Sequence, residues 1–150
     1  MFDWIIRNGT VIDGTGAPRL KSDVAIKSNV IVEVGNVEGE SHSEVDAQGK
    51  IVSPGFIDLH THSDSSFLID PHADSKLTQG VTLELFGNCG MSFCAPLIGG
   101  ARSMFEQRID RSGDKLIPTW TDFDGYLTAL EKCGSTINIA TQIGHGTVRS

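Results

Sequence analysis

Cysteine, basic charge and long apolar runs are all scarce in this 150-residue sequence. An odd total of three cysteines does not suit a disulfide framework and favours a reducing compartment. The 12 basic residues are outnumbered by 19 acidic ones and form no stripe, which argues against nucleic acid or an anionic membrane as a partner. No apolar segment approaches the roughly 20 residues that span a bilayer, and the N-terminus does not resemble a signal peptide. We therefore expect a cytoplasmic globular protein.

The first third of the chain has the pattern of short strands separated by turns. Apolar runs flank Asn8-Gly9, a dipeptide suited to a two-residue hairpin turn, and the same pattern recurs around Ser28-Asn29. The sequence therefore predicts an all-β unit over residues 1–53, which is too small to bury much core by itself.

The apolar period changes after Pro54. The segments "GFIDLHTH", "GVTLELFG" and "STINIATQIG" have the length and composition of strands, and a short helix is predicted at "ADSKLTQG". A longer helix is predicted at "WTDFDGYLTALEKCG", with Thr121 and Asp124 as a capping pair and Gly134 as its stop. Residues 95–118 have the composition of a long loop. Strands that alternate with helices indicate a parallel sheet covered by helices.

Two histidines, His60 and His62, stand one residue apart in the first of these strands. Alternation along a strand would place both on one face, together with Asp58, near the carboxyl end where barrel folds build their sites. Neutral imidazoles suit zinc, and Asp58 or Asp64 could accept the second ring proton of a ligating histidine. A pair of surface or core histidines with no metal is the alternative interpretation.

A cysteine at the end of the second strand is the other candidate ligand. Cys89 lies between Asn88 and Gly90, in a glycine-rich turn that lets the backbone approach a ligand closely. A thiolate binds divalent zinc strongly, whereas a free cysteine is more often a small buried apolar residue. Cys94 and Cys133 have no comparable context, and we interpret them as packing residues.

The motif "VSPGFIDLHTHSD", preceded by "DAQGK", resembles the first-strand signature of the metal-dependent amidohydrolase superfamily. The motifs "GVTLELFGNCGMSFCAP" and "IGHGTVR" are similar to the D-aminoacylase (N-acyl-D-amino-acid deacylase) branch, where a cysteine replaces the carboxylated lysine of many relatives. The resemblance covers essentially the whole chain. It implies a β-sandwich-like part over residues 1–53 and the start of an incomplete (β/α)8 TIM barrel over residues 54–150.

The same resemblance implies zinc-dependent hydrolysis of a small-molecule N-acyl-D-amino acid to a carboxylate and a D-amino acid, with one or two metal ions. His60 and His62 match ligands of the first metal position, and Cys89 matches the thiolate ligand. His145 and Asn88 are candidates for substrate contact or for support of the metal ligands.

Several parts of the family's site have no match in this sequence. Two further histidines, the aspartate general base and a substrate-binding arginine are expected beyond Ser150, so the catalytic residue is unknown here. We expect a chain that is incomplete, inactive alone and able to self-associate through an unpaired strand. A hydrolase of cyclic amides, similar to dihydropyrimidinase or dihydroorotase, and a non-catalytic half-barrel that needs a partner chain are the alternatives.

Overall fold

A computed structural model describes residues 1–93, 97–113 and 115–150. They form two compact units, Met1–Pro54 and Gly55–Ser150. The first unit contains strands β1 (Phe2–Val11), β2 (Leu20–Lys27), β3 (Val30–Gly35), β4 (Ser41–Asp46) and β5 (Ile51–Val52). The second contains β6 (Phe56–Asp58), α1 (Ser66–Ile69), α2 (Asp74–Leu77), β7 (Val81–Phe86), α3 (Gly99–Ser112), α4 (Phe123–Cys133), β8 (Asn138–Thr141) and α5 (His145–Arg149). The predicted class, an all-β start followed by an α/β part, is confirmed.

The first unit is built on one sheet with the strand order β3-β2-β1-β4, and β5 pairs with β1. Antiparallel pairs join β1 to β2 and β2 to β3, whereas β4 and β5 run parallel to β1. The turn at Ser28-Asn29 has positive φ at both residues, 52° and 63°, as a two-residue hairpin requires. Ile5, Ala25 and Val37 form the buried core of this unit.

The predicted hairpin turn at Asn8-Gly9 is wrong, because both residues lie within the continuous strand β1. Asn8 does have a positive φ of 62°, but the pairing with β2 absorbs it as a register shift between Ile6 and Gly9. The backbone N–H of Asn8 donates to Asp23 Oδ1 at 2.8 Å, which satisfies the donor at the irregularity. A dipeptide suited to a turn has therefore been used for a bulge.

The second unit contains the predicted parallel sheet, in the order β6-β7-β8. The strand β6 is shorter than predicted and ends at Asp58, so His60 and His62 follow the strand rather than lie within it. The short helix predicted after it is present as α2. Strands β6 and β8 are the edges of this three-stranded sheet, and self-association through such an edge stays a prediction.

The predicted loop over residues 95–118 is wrong, because most of it is the 14-residue helix α3. Ala101, Phe105 and Ile109 recur every four residues and are all buried, and Gly113 ends the helix with φ 77°. Phe105 packs edge-to-face on Phe93 and on Trp120, with centroid distances of 5.2 and 5.9 Å. The glycines at the start of this segment obscured an apolar stripe that belongs to the core.

Helix α4 has the predicted extent but a different N-cap. The Asp122 carboxylate, rather than the Thr121 hydroxyl, accepts the backbone N–H of Gly125 at 2.8 Å. Gly134 ends the helix as predicted, with φ 70°. Tyr126 and Leu130 face a core shared with Phe67, Phe86 and Ile137. No helix among the described residues combines the length and apolar character needed to cross a membrane.

Candidate metal centre

His60 and His62 lie on the segment that follows β6. This segment still runs beside β7, because the backbone N–H of Thr61 donates to the carbonyl of Leu85 at 3.1 Å. Thr61 is buried while the histidine on each side of it is exposed, which is the alternation of an extended chain. The two imidazole rings are 5.7 Å apart between centroids and inclined by 66°. The structure therefore brings both rings to one face, although the regular strand ends earlier than predicted.

Cys89 reaches the same face from the turn that follows β7. Its φ is 57°, and Gly87 and Gly90 on either side of it also have positive φ, 83° and 76°. A left-handed conformation is uncommon for a residue with a side chain and is typical of functional sites. The Sγ atom of Cys89 lies 3.2 Å from Nε2 of His60.

Close backbone contacts hold this turn in place. A Cβ atom at Gly87 would lie 2.1 Å from the carbonyl oxygen of Gln142, so only glycine fits. The carbonyl of Gly90 accepts the backbone N–H of Gly146 at 2.7 Å, in the first turn of α5. The turn that carries Cys89 is thus packed directly against the segment that follows β8.

Asn88 connects the strands on both sides of the turn. Its side-chain amide donates to the carbonyls of Thr61 at 3.2 Å and Leu85 at 3.0 Å. Its Oδ1 accepts from the side-chain amide of Gln142 at 2.7 Å. Asn88 therefore fixes the turn beside Cys89, and its role in substrate contact or in support of the metal ligands stays a prediction.

The three side chains fit a divalent metal ion in position and in chemistry. One ligand atom each of His60, His62 and Cys89 can be chosen so that all lie within 4.8 Å of one another. Tetrahedral zinc with nitrogen and sulfur ligands at about 2.0–2.3 Å places neighbouring ligand atoms roughly 3.5 Å apart. All three residues are exposed, so the face they form is open to further ligands. Two imidazoles and a thiolate are a typical donor set for zinc.

Asp58 contacts His60 through the main chain. Its Oδ1 accepts the backbone N–H of His60 at 3.3 Å, and its Oδ2 accepts from Lys76 Nζ at 2.8 Å. The hydrogen bond from Lys76 is the main reason that the pKa of Asp58 is lowered. Lys76 Nζ also lies 2.7 Å from Oε1 of Glu84, which is completely buried in β7. The hydrogen bond that Lys76 donates to Asp58 and the close approach of the Glu84 carboxylate raise the pKa of Lys76, which is therefore charged at neutral pH.

Asp64 is buried and contacts the segment beyond Cys89. Its Oδ1 accepts the backbone N–H of Phe93 at 3.2 Å, and its carbonyl accepts the hydroxyl of Tyr126 at 2.7 Å. Burial raises the pKa of the Asp64 carboxyl. Both hydrogen bonds join loops, so Asp64 supports the backbone around the site.

His145 and Cys133, which the sequence analysis also considered, do not belong to the cluster. His145 is exposed at the start of α5 and is not among the residues whose ligand atoms cluster within 4.8 Å. Cys133 is half-buried at the end of α4, in keeping with a packing role, and Cys94 lies outside the described residues. Arg108 on α3, which the sequence analysis missed, donates to the carbonyl of His62 at 3.0 Å and lies 5.1 Å from the ring centroid of Phe93.

Comparison with known proteins places this geometry in context. A family model described as amidohydrolase family matches residues 43–150. The D-aminoacylase of Alcaligenes xylosoxydans xylosoxydans is 35% identical over 99% of this chain and 30% of its own length. The N-acyl-D-glutamate deacylase of the same organism is 38% identical over 98% of this chain and 29% of its own length. The chain thus spans about 30% of the length of these curated relatives.

Solved structures are similar over the same extent. The N-acyl-D-glutamate deacylase from Bordetella bronchiseptica, complexed with zinc and a phosphonate inhibitor, matches 99% of this chain and 30% of that chain, with a TM-score of 0.82 and 35% identity. A crystal structure of D-aminoacylase matches 99% of this chain and 31% of that chain, with a TM-score of 0.81 and 34% identity. Both similarities extend through the all-β and the α/β unit.

Proposed function

The chain belongs to the amidohydrolase family, and we propose that it contributes metal ligands to a deacylase that hydrolyses the linear amide of N-acyl-D-amino acids. The products would be a carboxylate and a free D-amino acid. Relatives named D-aminoacylase, N-acyl-D-glutamate deacylase and N-acyl-D-aspartate deacylase, at 35–38% identity, support this substrate class. Because the chain spans about 30% of their length, the activity is proposed for the whole protein.

The observation that carries the proposal is the convergence of His60, His62 and Cys89 on one open face. They come from two segments that are far apart in the sequence, and His60 Nε2 is 3.2 Å from Cys89 Sγ. The surrounding structure imposes a left-handed conformation on Cys89 and places its thiol beside the imidazoles. A left-handed backbone conformation costs free energy that apolar packing of a cysteine would not require, whereas a metal ligand must be held in one position.

We propose zinc as the metal that these residues hold. The relative from Bordetella bronchiseptica is complexed with zinc, one D-aminoacylase variant is complexed with copper chloride, and another D-aminoacylase is described with a binuclear metal centre. His60 and His62 would bind as neutral imidazoles and Cys89 as a thiolate. A divalent ion held there would supply a Lewis acid that polarises the scissile carbonyl and makes hydroxide available near neutral pH.

The surroundings of the proposed ligands favour both metal binding and the approach of a substrate. Hydrogen bonds of Asn88 and Asp64 join the Cys89 turn and the loop beyond it to the histidine segment. Metal binding would therefore cost less conformational entropy, because the ligands are already held in place. The exposure of the three ligands leaves one side open, where an acyl-amino acid can approach. The hydrogen bond from Arg108 to the carbonyl of His62 steadies the same segment from α3.

Enzyme assays on the whole protein test the proposal. We expect zinc-dependent release of a free amine from N-acetyl-D-glutamate and related D-substrates, slow or no release from the L-isomers, and no hydrolysis of dihydrouracil, a cyclic amide. Cys89→Ala should abolish turnover, whereas Cys133→Ala, which removes a half-buried thiol outside the cluster, should leave it unchanged. A protein that hydrolyses the cyclic amide but none of the N-acyl-D-amino acids would contradict the proposal.

A further inference from the structure

Lys76 is the centre of a charged cluster that lies next to the metal ligands. It belongs to α2, and its Nζ lies 2.8 Å from Asp58 Oδ2 and 2.7 Å from Glu84 Oε1. The side chain of Lys76 is about 30% exposed and that of Glu84 is 0% exposed. One ammonium group therefore compensates two carboxylates on the neighbouring strands β6 and β7.

The buried position of Glu84 makes the ammonium necessary. Among the described residues, Oε1 of Glu84 has no well-aligned hydrogen bond, so its close ion pair with Lys76 is what compensates its charge. The other oxygen, Oε2, lies 3.4 Å from the hydroxyl of Thr61, a long contact. Removing one partner from a buried ion pair leaves an uncompensated charge, which is much more costly than removing both.

The same cluster contacts the histidine segment at two points. Asp58, held by Lys76, accepts the backbone N–H of His60 at 3.3 Å. Thr61, the next residue, contacts Oε2 of Glu84 through its hydroxyl at 3.4 Å. The residue between these two points is His60, whose ring reaches Cys89. The main chain around this ligand thus has two attachments, one to each of the carboxylates that Lys76 contacts.

We propose that Lys76 is a positioning residue for the metal centre, acting through Asp58 and Glu84 on the main chain around His60. This inference rests on the proposed metal-binding function of His60, His62 and Cys89. Lys76 does not itself bind the metal. Its ammonium holds Asp58 in the position that fixes the backbone N–H of His60, and so holds the imidazole at the distance from Cys89 that a shared ion requires.

A double variant distinguishes a positioning role of Lys76 from a purely structural one. If Lys76 only neutralised Glu84, removing both charges together would restore the stability and the metal affinity. If Lys76 also positions His60 through Asp58, the same double change would restore stability alone. The variants Lys76→Met and Lys76→Met/Glu84→Gln separate these cases, and Lys132→Met, in the last turn of α4, serves as a matched lysine control.

The experiment measures zinc affinity by competition with a chromophoric chelator, and the unfolding of the metal-free protein in urea, on the whole protein. We expect zinc affinity to fall about 10–100-fold in the double variant, the usual effect of losing a residue that orients a ligand. We expect its unfolding midpoint to stay close to that of wild type, and Lys132→Met to change neither quantity. Cobalt substitution should show a weaker or shifted thiolate-to-metal absorption band in the double variant, because His60 and Cys89 no longer share the ion in the same geometry.

The outcomes that overturn the inference are distinct from those that overturn the proposed function. Zinc affinity and cobalt spectrum equal to wild type in Lys76→Met/Glu84→Gln would show that Lys76 only neutralises Glu84. Wild-type protein that binds no zinc would overturn the metal centre itself and the inference with it. Because the double variant removes both charges of the ion pair, the test stands even if Lys76→Met alone fails to fold.

Discussion

The Nε2 atom of His60 lies 3.2 Å from the Sγ atom of Cys89, although the two residues are 29 positions apart in the sequence. The parallel pairing of β6 with β7 produces this approach, because the segments that follow two neighbouring parallel strands leave the sheet at the same edge. The contact is close enough for both atoms to bind one ion.

Gly87→Ala should destabilise the second unit strongly and weaken metal binding. A Cβ at this position would lie 2.1 Å from the carbonyl oxygen of Gln142, and φ is 83°. The left-handed conformation costs about 1–2 kcal/mol for a residue with a side chain, and a forced overlap typically costs about 1–3 kcal/mol more. Urea unfolding followed by the fluorescence of buried Trp120, together with zinc titration, measures both effects.

Gly134→Ala is the matched control for that substitution. Gly134 has φ 70°, but a Cβ there would meet no atom within 4 Å. Its substitution should therefore cost only the conformational strain, about 1–2 kcal/mol, and leave zinc affinity unchanged. Equal losses of stability and of zinc affinity in the two variants would contradict the close packing of the Cys89 turn on the segment after β8.

Asp122→Ala should lower the free energy of unfolding by about 0.5–2 kcal/mol, because Asp122 is the N-cap of α4 and accepts the Gly125 N–H at 2.8 Å. Thr121→Ala, one position earlier and also exposed, should change it by less than about 0.5 kcal/mol. Urea unfolding of the two variants distinguishes the cap in the structure from the pair predicted from sequence. A larger loss for Thr121→Ala would contradict the observed cap.

Asp23→Asn should destabilise the first unit at neutral pH and progressively less in acid. The backbone N–H of Asn8 and the guanidinium of Arg7 hold the pKa of Asp23 below its usual value, despite partial burial. A carboxyl whose pKa is lowered by folding contributes stability above its unfolded pKa, and this contribution is lost as pH falls through the folded pKa.

The difference between wild type and Asp23→Asn should therefore be about 1.5–3 kcal/mol at pH 7, the scale of hydrogen bonds to charged groups. It should narrow once the pH falls below about 4, the usual pKa of an aspartate. Urea unfolding at a series of pH values measures it, with Glu38→Gln, an exposed carboxylate, as the control. A difference that is constant between pH 7 and pH 3 would contradict this assignment.

Much of the fold followed from local patterns in the sequence. The Ser28-Asn29 turn, the parallel strands and the end of α4 at Gly134 were predicted because each depends on its own residues and their spacing. The bulge at Asn8 was missed because a residue that tolerates positive φ serves a turn or a bulge equally well. Only the pairing of β1 with β2 decides between them.

The sequence predicted which side chains meet at the candidate site, but not the residues that hold them there. His60, His62 and Cys89 stand in short recognisable motifs, and the structure places them together. Lys76 and Arg108 carry no such pattern, because their contacts depend on how α2 and α3 pack beside the strands. The i, i+4 spacing of Ala101, Phe105 and Ile109 was the available signal for α3.

The most direct test of the metal centre is the zinc content of the purified protein, measured by elemental analysis. The wild type should retain zinc through gel filtration, whereas Cys89→Ala and the double variant His60→Ala/His62→Ala should both lose bound metal while keeping the far-UV circular dichroism of the wild type. A wild type without zinc, or variants that retain the full wild-type content, would contradict the assignment of His60, His62 and Cys89 as a shared metal site.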